Sequence, residues 1–121
     1  MLRQWKEQER YNFVNARTKQ DMFVNYAYVE DIQANQERYS LDLAVSRLAI
    51  PYLIVHGTND ESVSVEAARR LYGYAKTGQA ELALVEGGTH TFGTKHPFEG
   101  STPALEQAID RTAAWFQERL P

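Results

Sequence analysis

The sequence has no cysteine among its 121 residues. It can therefore hold neither a disulfide framework nor a thiolate metal site, a condition that suits a reducing compartment. Net charge is scarce too: 13 Lys plus Arg stand against 16 Asp plus Glu, a formal balance of -3. That is too small, and of the wrong sign, to hold a polyanion by charge alone, so nucleic acid is not an expected partner. Long hydrophobic runs are also missing. The longest, Leu48 to Val55 and Leu82 to Val85, fall far short of the ~20 residues that span a bilayer, and no membrane partner is expected. The opening Met1, Leu2, Arg3, Gln4, Trp5, Lys6, Glu7 lacks the apolar centre of a secretory signal. Taken as a whole product, the chain is expected to stay in the cytoplasm. What is there, 43% hydrophobic and 24% charged residues, fits a globular chain with a single core.

Two short runs, Tyr52-Leu-Ile-Val-His56 and Glu81-Leu-Ala-Leu-Val85, each meet a glycine within two residues. Their apolar residues are continuous where a half-exposed strand would alternate, which is the habit of parallel strands covered on both faces. Between them Val65, Ala68, Leu71, Tyr72 and Ala75 recur at helical spacing, with Ser64 placed as N-cap and Glu66 in the first turn. The pattern predicts a strand, helix, strand unit with a right-handed crossover. A last helix is predicted from Thr102 as cap and Pro103 at its first position. Leu105, Ile109, Thr112, Ala113, Phe116 and Leu120 should form the face that packs on the sheet.

Upstream, residues 1–49 read as a separate cap-like segment with a connecting helix, and residues 50–121 as an α/β core piece. Leu2 to Arg10 reads as a polar helix and Asn25 to Tyr39 as another. Tyr11 to Val24 alternates loosely around Asn15-Ala-Arg-Thr18. Leu41 to Leu48 is a short helix leading into Ile50-Pro51, whose proline enforces an extended entry to the first core strand.

The two core strands run into His56-Gly57-Thr58-Asn59-Asp60-Glu61-Ser62-Val63 and Glu86-Gly87-Gly88-Thr89-His90-Thr91-Phe92-Gly93. Catalytic groups of open parallel sheets gather past the carboxyl ends of strands, so topology should bring Asp60 and His90 together. A carboxylate that accepts the Nδ1 proton of an imidazole fixes its tautomer and supports the imidazolium. Such a pair is two thirds of a nucleophile, base and orienter triad.

The order His56-Gly57-x-x-Asp60-x-x-Val63, helix, strand, Gly88-x-His90 resembles the final third of α/β-hydrolases, in particular the dienelactone hydrolase and prolyl oligopeptidase-like branch of serine hydrolases. The resemblance is strongest from Ile50 to Leu120. Gly93-Thr-Lys-His96-Pro97-Phe98 and Asn15-Ala-Arg-Thr18 are similar to segments of a bacterial peptidase group of this kind. The family orders its triad Ser, Asp, His along the chain, which implies Asp60 as the acid and His90 as the base. It implies an α/β fold in which this chain carries the last two parallel strands of the sheet with their flanking helices. It also implies ester, amide or peptide substrates and no metal or organic cofactor.

One departure is large. The family's nucleophile sits in a Gly-x-Ser-x-Gly elbow upstream of both residues, with oxyanion donors earlier still. None of Ser40, Ser46, Ser62, Ser64 and Ser101 has glycine at both flanking second positions. The chain is therefore expected to be the C-terminal portion of a serine hydrolase, inactive by itself, that self-associates or pairs with a missing N-terminal half. The alternative is a non-catalytic interaction or folding module derived from a hydrolase.

Plainer readings exist for each residue. Asn59-Asp60 after a strand is ordinary turn chemistry, and a histidine in a glycine-rich loop can simply be solvated. His56, directly before Gly57, reads as a structural residue of the turn, and His96 as a loop residue near the site. A zinc site of His56, Asp60 and His90 lacks a close histidine pair and a clear third ligand. Trp5, Tyr11, Phe13, Phe23, Tyr26, Tyr28 and Tyr39 either face a substrate or pack the N-terminal segment.

Overall fold

The computed structural model describes residues 2–15 and 18–120 of the chain. It divides into two compact units, Met1–Ser40 and Leu41–Pro121.

The first unit runs α1 (Leu2–Glu7), β1 (Arg10–Val14), β2 (Asp21–Asn25) and α2 (Ala27–Ala34). The loosely alternating stretch is an antiparallel hairpin in which Phe13 faces Met22 and Tyr11 faces Val24. Asn15 and Thr18 lie at its loop, where the Thr18 amide donates to Asn15 Oδ1 at 3.1 Å; Ala16 and Arg17 are outside the described residues. The turn into β1 is made by Glu9, held at a φ of 59°, whose carbonyl accepts from the Tyr26 amide at 2.7 Å. Trp5 ties α1 to the hairpin. Its indole N–H donates to the Val24 carbonyl at 3.0 Å, and its ring lies 5.7 Å from Tyr11 and 6.1 Å, edge on, from Tyr26. Of these three aromatics Trp5 and Tyr26 are half-buried, whereas Tyr11, Phe23 and Tyr28 are exposed. None of the unit's described residues is fully buried.

The second unit runs α3 (Leu41–Arg47), β3 (Tyr52–Gly57), α4 (Val65–Gly73), β4 (Ala80–Val85) and α5 (Pro103–Arg119). It is a mixed α/β arrangement in which β3 and β4 pair in parallel, from Tyr52 with Ala80 to Gly57 with Val85. The helix termini follow the sequence signals: Ser64 Oγ accepts from the Glu66 amide at 3.2 Å, and Thr102 Oγ1 from the Leu105 amide at 3.1 Å. Gln79 clasps the entry to β3, its amide donating to the Leu48 and Ile50 carbonyls at 2.7 and 2.9 Å. An Asp42–Arg70 ion pair links α3 to α4.

Helices α4 and α5 each pack across both strands but not substantially on one another, so they cover the two faces of the sheet. The core is accordingly thin: Ala83 and Val85 of β4 with Ala68 of α4 and Ala108 of α5. Small side chains at 68 and 108 let both helices approach closely. The inward stripe of α5 differs from the expected one. It centres on Ala108 with Leu105, Thr112 and Trp115 beside it, while Ile109, Phe116 and Leu120 are exposed. A pair of strands ~4.8 Å apart is narrower than a helix ~10 Å across, so only the middle of the apolar stripe finds a surface. Among the described residues no helix is long and apolar enough to cross a membrane.

Candidate active site

Parallel pairing sets both strands' carboxyl ends side by side, and backbone bonds then stitch the two loops together. The Thr58 and Gly88 amides both donate to the Val85 carbonyl, at 3.0 and 3.1 Å, and the Asn59 amide donates to the Gly88 carbonyl at 2.9 Å. Thr58 Oγ1 accepts from the Gly87 amide at 2.8 Å. The chains cross so closely that a Cβ on Gly57 would lie 2.1 Å from the Gly88 oxygen. Backbone on both sides leaves no flexible group to yield. Gly57→Ala is therefore expected to cost about 3 kcal/mol or more, the upper end of overpacking penalties. Denaturant unfolding checks this value, and a midpoint unchanged from wild type would disprove the crossing.

Asp60 divides its two oxygens. Oδ1 accepts the amides of Ser62 and Val63, both at 2.9 Å, which is the turn chemistry its position suggested. Oδ2 lies 3.0 Å from His90 Nδ1. The carboxylate side chain is only 5% exposed and the imidazole 56%, so the acid is sheltered while the far edge of the ring is open. Bonds from the Val63 amide above all, then from His90 and the Ser62 amide, outweigh burial and hold the Asp60 carboxyl down at about 2. Asp60 is thus ionised at neutral pH and can only accept. The proton between the residues therefore sits on His90 Nδ1, leaving Nε2 as the basic nitrogen.

A folded-state value below the ordinary 3.8 means that the contribution of Asp60 to stability is complete above 3.8 and is lost as pH falls through about 2. The melting temperature of the chain should drop across that window. Asp60→Asn should start lower and show a shallower drop. Equal slopes in the two proteins would refute the assignment.

The loop carrying His90 is closed on itself and anchored to α5. Thr89 Oγ1 accepts from the Gly93 amide at 2.9 Å, and Thr102 Oγ1, the α5 cap, donates to the Phe92 carbonyl at 2.5 Å. Phe92 and Gly93 both take left-handed conformations, at φ 53° and 78°, a costly one for phenylalanine. His56 is directed at the Asp60 loop, its Nε2 3.0 Å from the Val63 carbonyl oxygen. His96 is exposed. Among the described residues no group of three His, Asp or Glu side chains could hold a metal ion.

The structure brings together the two ionisable residues singled out in the sequence, Asp60 and His90. The stitching by Gly57, Thr58 and Gly88, and the part of Val63, had no sequence signal, because most of it is done by backbone amides and carbonyls and the Thr58 hydroxyl is bonded to an amide 29 residues away.

No family model matches the chain, and no curated protein matches it. Its structure is similar to the crystal structure of a "putative hydrolase" from Agrobacterium vitis S4, with a TM-score of 0.65 and 21% identity. The match covers 98% of this chain and 40% of that one. The likeness is one of fold, a mixed α/β arrangement, and this chain corresponds to less than half of the neighbour's length.

Proposed function

We propose that this chain is the acid- and base-bearing portion of a serine hydrolase, with His90 as general base and Asp60 as the residue that orients it. The observation that carries the reading is the 3.0 Å contact between His90 Nδ1 and Asp60 Oδ2 past the ends of adjacent parallel strands. In the reaction His90 Nε2 takes the proton of a serine hydroxyl as that oxygen attacks an ester or amide carbonyl. The same nitrogen then hands the proton to the leaving group, and the cycle repeats with water on the acyl-enzyme. Asp60 stays ionised throughout and stabilises the imidazolium.

The nucleophile and oxyanion donors come from outside these 121 residues, since no serine here stands in the required elbow. The dienelactone hydrolase and prolyl oligopeptidase-like branch is the proposed affiliation, residues 1–49 the cap-like segment, and a cytoplasmic site the proposed location. The substrate is a small ester, amide or peptide, and no cofactor takes part.

The test is a pair of measurements. A polypeptide carrying this chain behind an in-frame Gly-x-Ser-x-Gly elbow should be labelled by a fluorophosphonate at that serine and should hydrolyse an activated aryl ester. The 121-residue chain alone should do neither. An encoding frame with no such elbow upstream would favour the second reading, an α/β association or folding module.

A further inference from the structure

The Asp60 carboxylate meets a second imidazole. His56 is the penultimate residue of β3, its side chain is 14% exposed, and its Nε2 lies 3.6 Å from Asp60 Oδ2, the same oxygen that His90 uses. That distance is too long for a hydrogen bond. The bond His56 does make is to the Val63 carbonyl at 3.0 Å. A carbonyl only accepts, so Nε2 carries the proton.

Val63 is also the residue whose amide, with that of Ser62, holds Asp60 Oδ1. The His56 bond therefore fastens the far end of the loop whose amides fix the carboxylate. It sets the N–H edge of a sheltered ring beside Oδ2, where its polarity favours negative charge. We propose that His56 is a positioning residue for the Asp60–His90 pair, holding the 58–63 loop closed through the Val63 carbonyl so that Oδ2 stays aimed at His90 Nδ1.

The proposal rests on the reading of Asp60 and His90 as a triad pair. It extends that reading with a residue that touches neither substrate nor the reacting nitrogen. A residue that merely filled space in the turn could be replaced by any ring of its size. A residue acting through its Nε2 proton needs a donor at that place, and glutamine, whose Nε2 reaches about as far, supplies one.

The test uses the 121-residue chain and nuclear magnetic resonance of the isotopically labelled protein. Two quantities are read: the titration of the Asp60 carboxyl, and the share of neutral His90 with its proton on Nδ1. His56→Phe, which keeps the ring and loses the donor, should move the Asp60 titration from about 2 back toward 3.8. It should also shift His90 toward the Nε2-protonated tautomer. His56→Gln should restore both, and His56→Asn, too short to reach Val63, should behave as the phenylalanine variant and replaces it if that protein does not fold. Wild-type values in both His56→Phe and His56→Asn, or failure of the glutamine to rescue, would overturn the proposal. Loss of the Nδ1 proton from His90 in the wild-type chain would instead remove the triad reading itself, so the two failures are distinct.

Discussion

Replacing His90 with glutamine, in a polypeptide that joins this chain to a serine elbow, is expected to lower kcat on an activated aryl ester by about 10⁴-fold or more. Asp60→Asn should cost about 10⁴-fold. The first change removes the nitrogen that accepts the serine proton, and the second leaves the imidazole in place with the wrong tautomer favoured. A 10⁴-fold loss corresponds to about 5.5 kcal/mol of transition-state stabilisation, far beyond what a solvated histidine or a turn aspartate provides. KM should move much less, because neither side chain is needed to bind the ground state. Asp60 is ionised down to about 2, so the acidic limb of the pH–rate profile should report the imidazole and not the carboxylate. Steady-state rates of the two variants decide the matter: a loss of less than tenfold in Asp60→Asn would return that residue to the role of a turn former.

The carboxyl-end geometry was legible because two rules of parallel sheets act together. Continuous apolar runs identify Tyr52 to His56 and Glu81 to Val85 as strands covered on both faces, and a helix between them forces parallel pairing. Once the strands are parallel, the residues that follow them have little freedom, and Asp60 and His90 meet. Ser64, Thr102 and Pro103 were legible for a similar reason, since capping is a local matter between a side chain and the amides two or three residues on.

Features that depend on what lies across the fold were not. The spacing of Leu105, Ile109, Phe116 and Leu120 identifies an apolar stripe but says nothing of how wide the facing sheet is, and here the sheet meets only part of it. The hairpin of residues 10–25 was hidden because its register comes from pairing, not from strong alternation. The role of His56 could be read only as structural, since its partner is a carbonyl seven residues away.

The chain alone is expected to associate at micromolar concentration through the open edge of β3. Among the described residues no strand pairs with that edge, because the sheet contains only β3 and β4. The Tyr52 and Thr58 amides bond toward β4, to the carbonyls of Gln79, just before that strand, and Val85, its last residue. Alternation along a strand then turns the amides of Leu53 and Val55 outward. Such a row of free donors and acceptors is a template for another strand, and Tyr52 to His56 contains no proline or charged carboxylate, lysine or arginine to blunt it.

Helix α5 adds exposed apolar surface. Trp115 and Arg119 lie beside Glu81 and Leu82 of β4, whereas Ile109, Phe116 and Leu120 lie about 100° further round the helix and are exposed. An unpaired edge together with exposed apolar side chains suits a neighbouring strand with its own covering. Light scattering should therefore show species larger than a monomer, and Ile109→Lys with Phe116→Glu, both at exposed positions, should shift them toward monomer. In that monomer the amides of Leu53 and Val55 should exchange with solvent much faster than those of Ile54 and His56, and association should slow them. A monodisperse wild-type monomer with Leu53 and Val55 already protected would show that the edge is covered within the chain, and the expectation of a missing neighbouring strand would fall with it.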